Sequence, residues 1–288
     1  MKKNRIYQLL FAAGIASALS CTGTEPATLK TVASLQLEEV SGIEYMPDGS
    51  LWALEDSGNS NKIYRLGENG KIAHTLTLTD AENTDWEDMT SDTEGNLYIG
   101  DFGNNDNNRK NLAIYKLSAA DLNGESAKVA QRTEFYYPEQ TEFPPKKSRW
   151  MFDAEAFCLY NGYFYIFTKN RSKMFDGSFY VYRVPNLPGP HKAEKIGKLK
   201  SCSNYRKCAI AGADISPDGK TIALISGGKI WLVTGFTEND FSAADVKEVV
   251  LQSITQKEGI TFKDENTLLI ADEKEKKSGG KLYSFSID

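Results

Sequence analysis

The chain has 288 residues, of which 39 are acidic and 34 are basic, and 40% of its residues are apolar. Three basic residues and no acidic ones lie in residues 1–20, so the remainder carries 31 basic against 39 acidic side chains, a net charge near −8. This acidic balance argues against a nucleic-acid-binding surface, while the apolar fraction is sufficient for one large globular domain.

The first 27 residues predict export and membrane anchoring. A basic start with Lys2 and Lys3 precedes an apolar run from Leu9 to Leu19, which is too short to span a bilayer comfortably. The sequence Ala-Leu-Ser before Cys21 resembles a bacterial lipobox. We therefore interpret residues 1–20 as a signal peptide, Cys21 as the lipidated N-terminus and residues 21–27 as a short tether, with an ordinary cleaved signal as the alternative. The expected protein is a monomer, anchored to the membrane of the bacterial cell envelope on its periplasmic side or at the cell surface.

Residues 28–288 repeat one pattern five times, which predicts a single all-β domain of the β-propeller class. Each copy has a strand, a turn rich in Pro, Asp, Asn and Gly, and a second apolar strand. A third strand follows each copy, and a more polar fourth strand usually comes next, which is the pattern of a propeller blade. The copies begin near Val40, Trp86, Ala154, Ala211 and Lys257. A β-sandwich would not explain five copies of one pattern.

The spacing of the copies favours five blades. The longest step contains an insertion at residues 138–149, so six blades are the alternative if the insertion hides a degenerate blade. The last copy ends after three strands. We expect the N-terminal run from Leu29 to Leu37 to supply its fourth strand, because this pairing would close the propeller and cover an exposed edge.

Alignment of the copies on their turns reveals columns of polar residues near one end of the central channel. The first column stands just before or at the start of the innermost strand: Ser41, Glu87, Glu155, Ala211 and Glu258. Two residues earlier stand Glu39, Asp85, Asp153, Ala209 and Gln256. The second column ends the next strand: Glu55, Asp101, Thr168, Ser226 and Asp272. Because antiparallel neighbours return to the same face, we expect both columns to converge at the mouth of the channel.

This density of carboxylates predicts a divalent-cation site, with Ca²⁺ as the expected ion and Mg²⁺ as the alternative. The predicted metal ligands are Glu87, Glu155, Glu258, Asp101 and Asp272. Loops 55–61 and 100–108 add Asp and Asn oxygens beside the same face. From these surroundings the candidate ligand-binding residues are Trp86, Asn104 and Asn105. The alternative interpretation is a structural acidic rim whose carboxylates pair with Lys169, Arg171 and Arg109.

The cysteines after Cys21 predict one disulfide bond. Cys202 and Cys208 flank five residues, and in an oxidising compartment they are expected to close a small loop. Two free thiols are the alternative. Cys158 lies in an apolar strand and is interpreted as a small buried residue.

Three blade openings resemble those of the SdiA-regulated and phytase-like propellers and, more distantly, the gluconolactonase and paraoxonase group: Ser41-Gly42-Ile43, Asp85-Trp86-Glu87-Asp88 and Glu258-Gly259-Ile260. In the gluconolactonase and paraoxonase group a glutamate at such an opening binds the catalytic calcium ion. The resemblance implies that role for Glu87, Glu155 or Glu258. That group has six blades, and the catalytic histidine of paraoxonases has no counterpart in this sequence.

The sequence leaves more than one function open. The first is a Ca²⁺-dependent envelope hydrolase of phosphoester or lactone substrates, in which Asp85 or Asp153 acts as the base beside the metal ion. The second is a non-enzymatic module that binds a glycan, a peptide or a partner protein across the propeller face. A scaffold within an envelope complex is the third.

Overall fold

A computed structural model describes residues 25–276 and 278–287 of the chain. The predicted signal peptide and the predicted lipidation residue Cys21 lie outside the described residues. In the part of the chain that is described, no helix has the length and apolar character needed to cross a membrane.

The described residues form five blades around one axis, which confirms the predicted five-bladed β-propeller. The first strand is β1 (Lys30–Ser34), and blade 1 then contains β2 Val40–Tyr45, β3 Leu51–Glu55, β4 Lys62–Leu66 and β5 Ile72–Leu78. Blade 2 contains β6 Trp86–Ser91, β7 Leu97–Asp101, β8 Leu112–Leu117 and, after the short β9 (Ser126–Ala127), β10 Gln131–Tyr136. Strand β9 runs parallel to β5 and adds a fifth strand to blade 1.

The remaining blades follow the same plan. Blade 3 contains β11 Asp153–Tyr160, β12 Tyr163–Lys169, β13 Ser178–Pro185 and, after β14 (Gly189–Lys192), β15 Glu194–Lys200. Strand β14 pairs in parallel with β10 of blade 2. Blade 4 contains β16 Gly212–Ile215, β17 Ile222–Ser226, β18 Lys229–Thr234 and β19 Asp245–Val250. Blade 5 contains β20 Lys257–Asp264, β21 Thr267–Glu275 and β22 Ser278–Ser286.

Strand β1 closes the propeller by pairing antiparallel with β22, as the N-terminal run predicts. The chain already contacts the propeller at Ala27, within the predicted tether, where its N–H donates to the carbonyl of Val250. Helical structure in the described residues is short: two 3₁₀ turns, Ala119–Asp121 and Lys147–Arg149, and one helix, α1 (Tyr205–Cys208). The insertion at residues 138–149 holds one of these turns and no named strand, so it adds no blade.

The turns between the first and second strands explain the repeated Asp-Gly and Asn-Gly pairs. Gly49 and Gly219 follow Pro-Asp and have φ angles of +84° and +71°, a region that a Cβ atom disfavours. In blade 3, Asn161 and Gly162 both have positive φ angles of 48° and 77°. Two positive angles in a two-residue turn match the right-handed twist of the strands that the turn connects.

The innermost strands close the channel near its centre. A Cβ atom on Gly42 of β2 would come within 2.8 Å of Asp88 Cα of β6, and one on Gly259 of β20 would come within 2.9 Å of the Ile43 side chain. Asp88 accepts hydrogen bonds from backbone N–H groups of blades 3 and 4. The end where the innermost strands begin, here called the mouth, is therefore separate from the far end, where these strands finish.

Candidate metal centre at the channel mouth

A β-bulge at the start of four innermost strands places the residues of the first column. The pairing register with the second strand shifts around Ser41, Glu87, Glu155 and Glu258. A bulge leaves one residue out of the ladder and re-aims its side chain. In blade 4 the pairing of β16 with β17 has no such shift, and the corresponding residue is Ala211. The three acidic residues of the first column, Glu87, Glu155 and Glu258, are therefore all oriented by a bulge of the same kind.

Five carboxylates meet at the mouth in two groups that share Glu87. Asp56, Asp85 and Glu87 form the first group, here called the Asp56 triad, and Glu87, Asp153 and Glu155 form the second, the Glu155 triad. Within each triad, one oxygen from every residue lies within 4.8 Å of the others. Calcium binds oxygens at about 2.3–2.6 Å, so ligands on opposite sides of one ion are separated by about 5 Å. The spacing of both triads is compatible with a Ca²⁺ ion.

Two basic side chains neutralise the Glu155 triad. Lys169 Nζ and Arg171 Nη2 each contact one oxygen of Glu155, and Arg171 Nε lies 2.6 Å from Asp153 Oδ2. Burial disfavours the charged form of Lys169. The negative charges of Glu155 and Glu258 outweigh this effect and raise the pKa of Lys169. This triad therefore carries ion pairs of the kind that the structural-rim interpretation predicts.

The Asp56 triad has no ion-pair partner among the described residues. Asp85 is 8% exposed, and its Oδ1 atom has no hydrogen-bond partner in the described part of the chain. Gly103 packs against the carboxylates of Asp85 and Glu87 so closely that a Cβ atom would collide with both. A buried acceptor without a donor costs roughly 1–3 kcal/mol, which a bound cation would offset.

Burial dominates the electrostatics of the Asp56 triad. It raises the pKa of Asp85 to about 6 and the pKa of Glu87 well above its ordinary value. The negative charges of Glu155 and Asp153 add to the effect at Glu87. A cation bound at this site would lower both pKa values, because it favours the ionised form of each carboxyl group.

Glu258 belongs to neither triad. Its negative charge contributes to the raised pKa of Lys169, and its Oε1 accepts a hydrogen bond of 3.2 Å from Gln256 Nε2. Burial raises the pKa of Glu258 well above its ordinary value, against the opposing charge of Lys169. Burial also raises the pKa of its neighbour Glu273, to about 7. Glu258 and Glu273 thus form a further carboxyl pair beside the Glu155 triad.

The other two predicted metal ligands, Asp101 and Asp272, take part in blade packing. Asp101 Oδ1 lies 2.8 Å from Arg109 Nη2, and its Oδ2 accepts a 2.9 Å hydrogen bond from the Tyr115 hydroxyl. Asp272 Oδ2 accepts a 2.9 Å hydrogen bond from the Tyr283 hydroxyl. Protein donors therefore occupy both carboxylates, and neither belongs to the triads.

Two of the three predicted ligand-binding residues are buried. Trp86 is fully buried, and its indole N–H donates to the carbonyl of Glu82. Asn104 is 1% exposed, and its backbone N–H donates to Asp153 Oδ1 at 2.7 Å. Asn105 is exposed in the same loop. Trp86 offers no surface to a ligand, and Asn104 orients a carboxylate instead.

Cys202 and Cys208 are joined by a disulfide bond, and Cys158 is a buried free thiol. The disulfide brackets α1, whose Tyr205 hydroxyl accepts a 2.8 Å hydrogen bond from Arg171 Nη1. The disulfide loop therefore lies beside the arginine that neutralises the Glu155 triad.

The predicted ligand set lacks Asp56, which stands one residue after the second column and has an intermediate exposure. Asp56 lies in the loop of residues 55–61, and the many side-chain oxygens of this loop are the sequence signal for Asp56. The alignment of strand ends could not select Asp56, because a residue just beyond a strand is oriented by the loop and not by the pleat.

Comparison with one solved structure supports the fold, and two other solved structures show weaker likenesses. An aldose sugar dehydrogenase from Streptomyces coelicolor, described in its PQQ-bound form, is 8% identical and has a TM-score of 0.52 over 89% of this chain and 96% of that chain. A putative 6-phosphogluconolactonase from Bacteroides uniformis is 16% identical, with a TM-score of 0.46 over 81% of this chain and 62% of that chain. A gluconolactonase from Xanthomonas campestris is 12% identical, with a TM-score of 0.46 over 90% and 89%.

No family model matches the sequence, and no curated protein matches it either. At 8% identity the likeness to the aldose sugar dehydrogenase structure shows the fold alone.

Proposed function

We propose that the mouth binds a divalent cation, Ca²⁺ with Mg²⁺ as the alternative, and that this cation serves a hydrolytic centre for phosphoester or lactone substrates. The observation that carries the proposal is the Asp56 triad. Its three carboxylates have the spacing of calcium ligands, they lack a basic partner among the described residues, and one buried oxygen of Asp85 has no donor.

The two triads have different roles in this proposal. Asp56, Asp85 and Glu87 are the cation ligands, while Lys169 and Arg171 already balance the charge of the Glu155 triad. A cation held there would polarise a phosphoryl or carbonyl oxygen of the substrate. Glu87 belongs to both triads, so its substitution should affect the cation site most directly.

The two candidate bases are distinguished by their hydrogen bonds. Asp153 is held at both oxygens, by the backbone N–H of Asn104 and by Arg171, so it positions the site. Asp85 has no donor at Oδ1 among the described residues, so in this proposal one of its oxygens holds the cation and the other accepts a proton from an attacking water. The alternative function is a non-enzymatic binding module, for which the same cation would organise the face.

Calcium binding is tested by thermal unfolding of the protein with EDTA and with excess Ca²⁺. At a concentration near 100 times Kd, a ligand stabilises the folded state by about 2.7 kcal/mol, which raises Tm by roughly 5–10 °C for a domain of this size. Glu87→Gln removes a charge shared by both triads and should abolish the shift. Glu68→Gln, on an exposed turn, is the matched control and should keep it.

Absence of any Ca²⁺ or Mg²⁺ shift in the unaltered protein would reject the cation site. A shift without hydrolysis of phosphoester or lactone panels would favour the binding-module alternative. Where hydrolysis is found, Asp85→Asn should lower kcat by about 100-fold or more at saturating Ca²⁺, because both the base and one charged cation ligand are lost. Unchanged kcat in that variant would reject the role of Asp85.

We further propose that Cys21 carries lipid and anchors the propeller to the cell envelope, since an apolar run and a lipobox-like sequence precede it. Labelling of growing cells with an alkyne fatty acid should mark the unaltered protein and should not mark Cys21→Ser. Equal labelling of both proteins, or labelling of neither, contradicts the anchor.

A further inference from the structure

A cavity of about 690 Å³ opens at the far end of the channel, away from the acidic mouth. The turns between the first and second strands of blades 1 to 4 and the end of β20 surround it. Tyr45, Tyr160, Ile215 and Phe262 give its wall an apolar and aromatic character. Its volume lies within the range of about 300–1,000 Å³ that is typical of small-molecule sites.

A third polar column lies at this end of the innermost strands. It stands three residues after the first column in every repeat: Glu44, Thr90, Cys158, Asp214 and Thr261. All five are buried, none with more than 6% exposure. Glu44, Thr90 and Asp214 line the cavity. The cavity therefore combines apolar walls with two carboxyl groups on its inner side.

The two carboxyls share one hydroxyl donor. Thr261 Oγ1 lies 3.3 Å from Glu44 Oε2 and 3.1 Å from Asp214 Oδ2, and it accepts the backbone N–H of Tyr45 at 3.0 Å. A hydroxyl carries a single proton, so it can donate to only one of the two carboxylates at a time. Glu44 Oε1 is served by the hydroxyl of Ser91. Asp214 also accepts the backbone N–H of Phe262 at 2.6 Å and that of Ile215 at 2.7 Å, whereas the long 3.3 Å contact with Thr261 is the one hydrogen bond shown at Glu44 Oε2 among the described residues.

Glu44 and Asp214 form no ion pair in the described part of the chain. The lysine that lines the cavity, Lys263, is exposed at its rim. Burial raises the pKa of Glu44 well above its ordinary value, with a further contribution from the charge of Asp214. A buried carboxylate pair with no counter-charge among the described residues favours a ligand that supplies both a positive charge and N–H donors.

We propose that this cavity binds an organic cation, namely a primary ammonium or guanidinium group on a short apolar or aromatic body. The cationic group lies between Glu44 and Asp214 and donates to Glu44 Oε2. The body contacts Tyr45, Tyr160 and Phe262, whose rings add apolar burial and attraction to the cation. A bare divalent metal fits less well, since it needs six or more oxygens, whereas the wall is largely apolar.

Isothermal titration calorimetry on the full propeller tests the proposal with two probes that differ in one group. Tyramine carries an aromatic body and an ammonium group, and tyrosol carries a hydroxyl in its place. Tyramine should bind with a Kd below about 1 mM, and tyrosol should bind at least about tenfold more weakly. Equal affinity for the two probes, or no binding of tyramine up to 10-fold above that concentration, overturns the proposal.

Two variants assign the binding to this cavity. Glu44→Gln keeps the shape of the side chain and should weaken tyramine binding about tenfold, while Glu68→Gln on an exposed turn should leave it unchanged. Lys263→Gln removes a repelling charge at the exposed rim and should strengthen binding about twofold. If Glu44→Gln fails to fold, Lys263→Gln decides the question, because an affinity that is unchanged in it contradicts the cavity as the site.

Discussion

Asp88 lies on the propeller axis and joins three blades through backbone hydrogen bonds. Its Oδ1 accepts the N–H of Met89 at 2.9 Å, and its Oδ2 accepts the N–H groups of Phe157 at 3.1 Å and Ala213 at 3.2 Å. The side chain is fully buried. It replaces the glycine or alanine that the other repeats have at this position, so one carboxylate satisfies donors that no neighbouring strand can reach.

Asp88→Ala should therefore lower the free energy of unfolding by about 3–5 kcal/mol, because it leaves three buried N–H groups without an acceptor. Urea unfolding followed by tryptophan fluorescence measures the change. Asp88→Asn, which keeps one acceptor oxygen, should cost less. Asp106→Ala, in an exposed part of the 100–108 loop, is the control and should have little effect. A loss below 1 kcal/mol for Asp88→Ala would show that the three bonds do not hold the blades together.

At the scale of elements, the strands were predictable and the bulges were not. The fourth strand of blade 2 is predicted from its polar pattern and spans Gln131–Tyr136 in the structure. Alternation of apolar residues and the turns that bound them are local properties of the sequence, which is why such strands can be located. The register shift around Glu87 depends on how β6 pairs with β7. The sequence of one strand does not determine this pairing.

The second polar column shows where the strand-end argument failed. Asp101 ends β7 as predicted, whereas β21 continues past Asp272 to Glu275, and each aspartate accepts a hydroxyl hydrogen bond from a tyrosine on the next strand. In both blades the tyrosine, Tyr115 or Tyr283, stands two residues beyond the partner of the aspartate in the pairing register. This shared offset belongs to the pairing register, since the aspartate and the tyrosine are 14 residues apart in blade 2 and 11 residues apart in blade 5. It distinguishes an aspartate used for packing from one that is available to a ligand.

At the scale of the whole molecule, the repeat determined the fold and the number of blades, but the departures from the repeat determine the candidate sites. Blade 4 lacks the acidic residues of the first column, with Ala209 and Ala211 in their places. The third column, which includes Glu44 and Asp214, was present in the same alignment. It was not selected because the predictions followed only the end at which carboxylates are densest, and because burial and cavity volume arise only when all blades are assembled.

Ionisable groups at the far end should make the protein less stable as the pH rises from 4 to 7. Burial raises the pKa of Asp214 to about 6, against the donation of Phe262 and Ile215 N–H groups, while the usual value is near 4. The folded state therefore binds this proton more tightly than the unfolded state. The resulting stabilisation is complete below about pH 4 and is lost as the pH rises through about 6.

For Asp214 alone the free energy of unfolding should fall by about 1 kcal/mol between pH 5 and pH 7.5. Glu44 is packed against Asp214 and titrates with it, and Asp88 also faces the pair, so the total change should be larger. Urea unfolding in EDTA at the two pH values measures it. Asp214→Asn cannot ionise and should show a smaller difference between the two pH values, whatever its absolute stability. An equal difference in the unaltered protein and in Asp214→Asn would mean that other carboxyls cause the pH dependence.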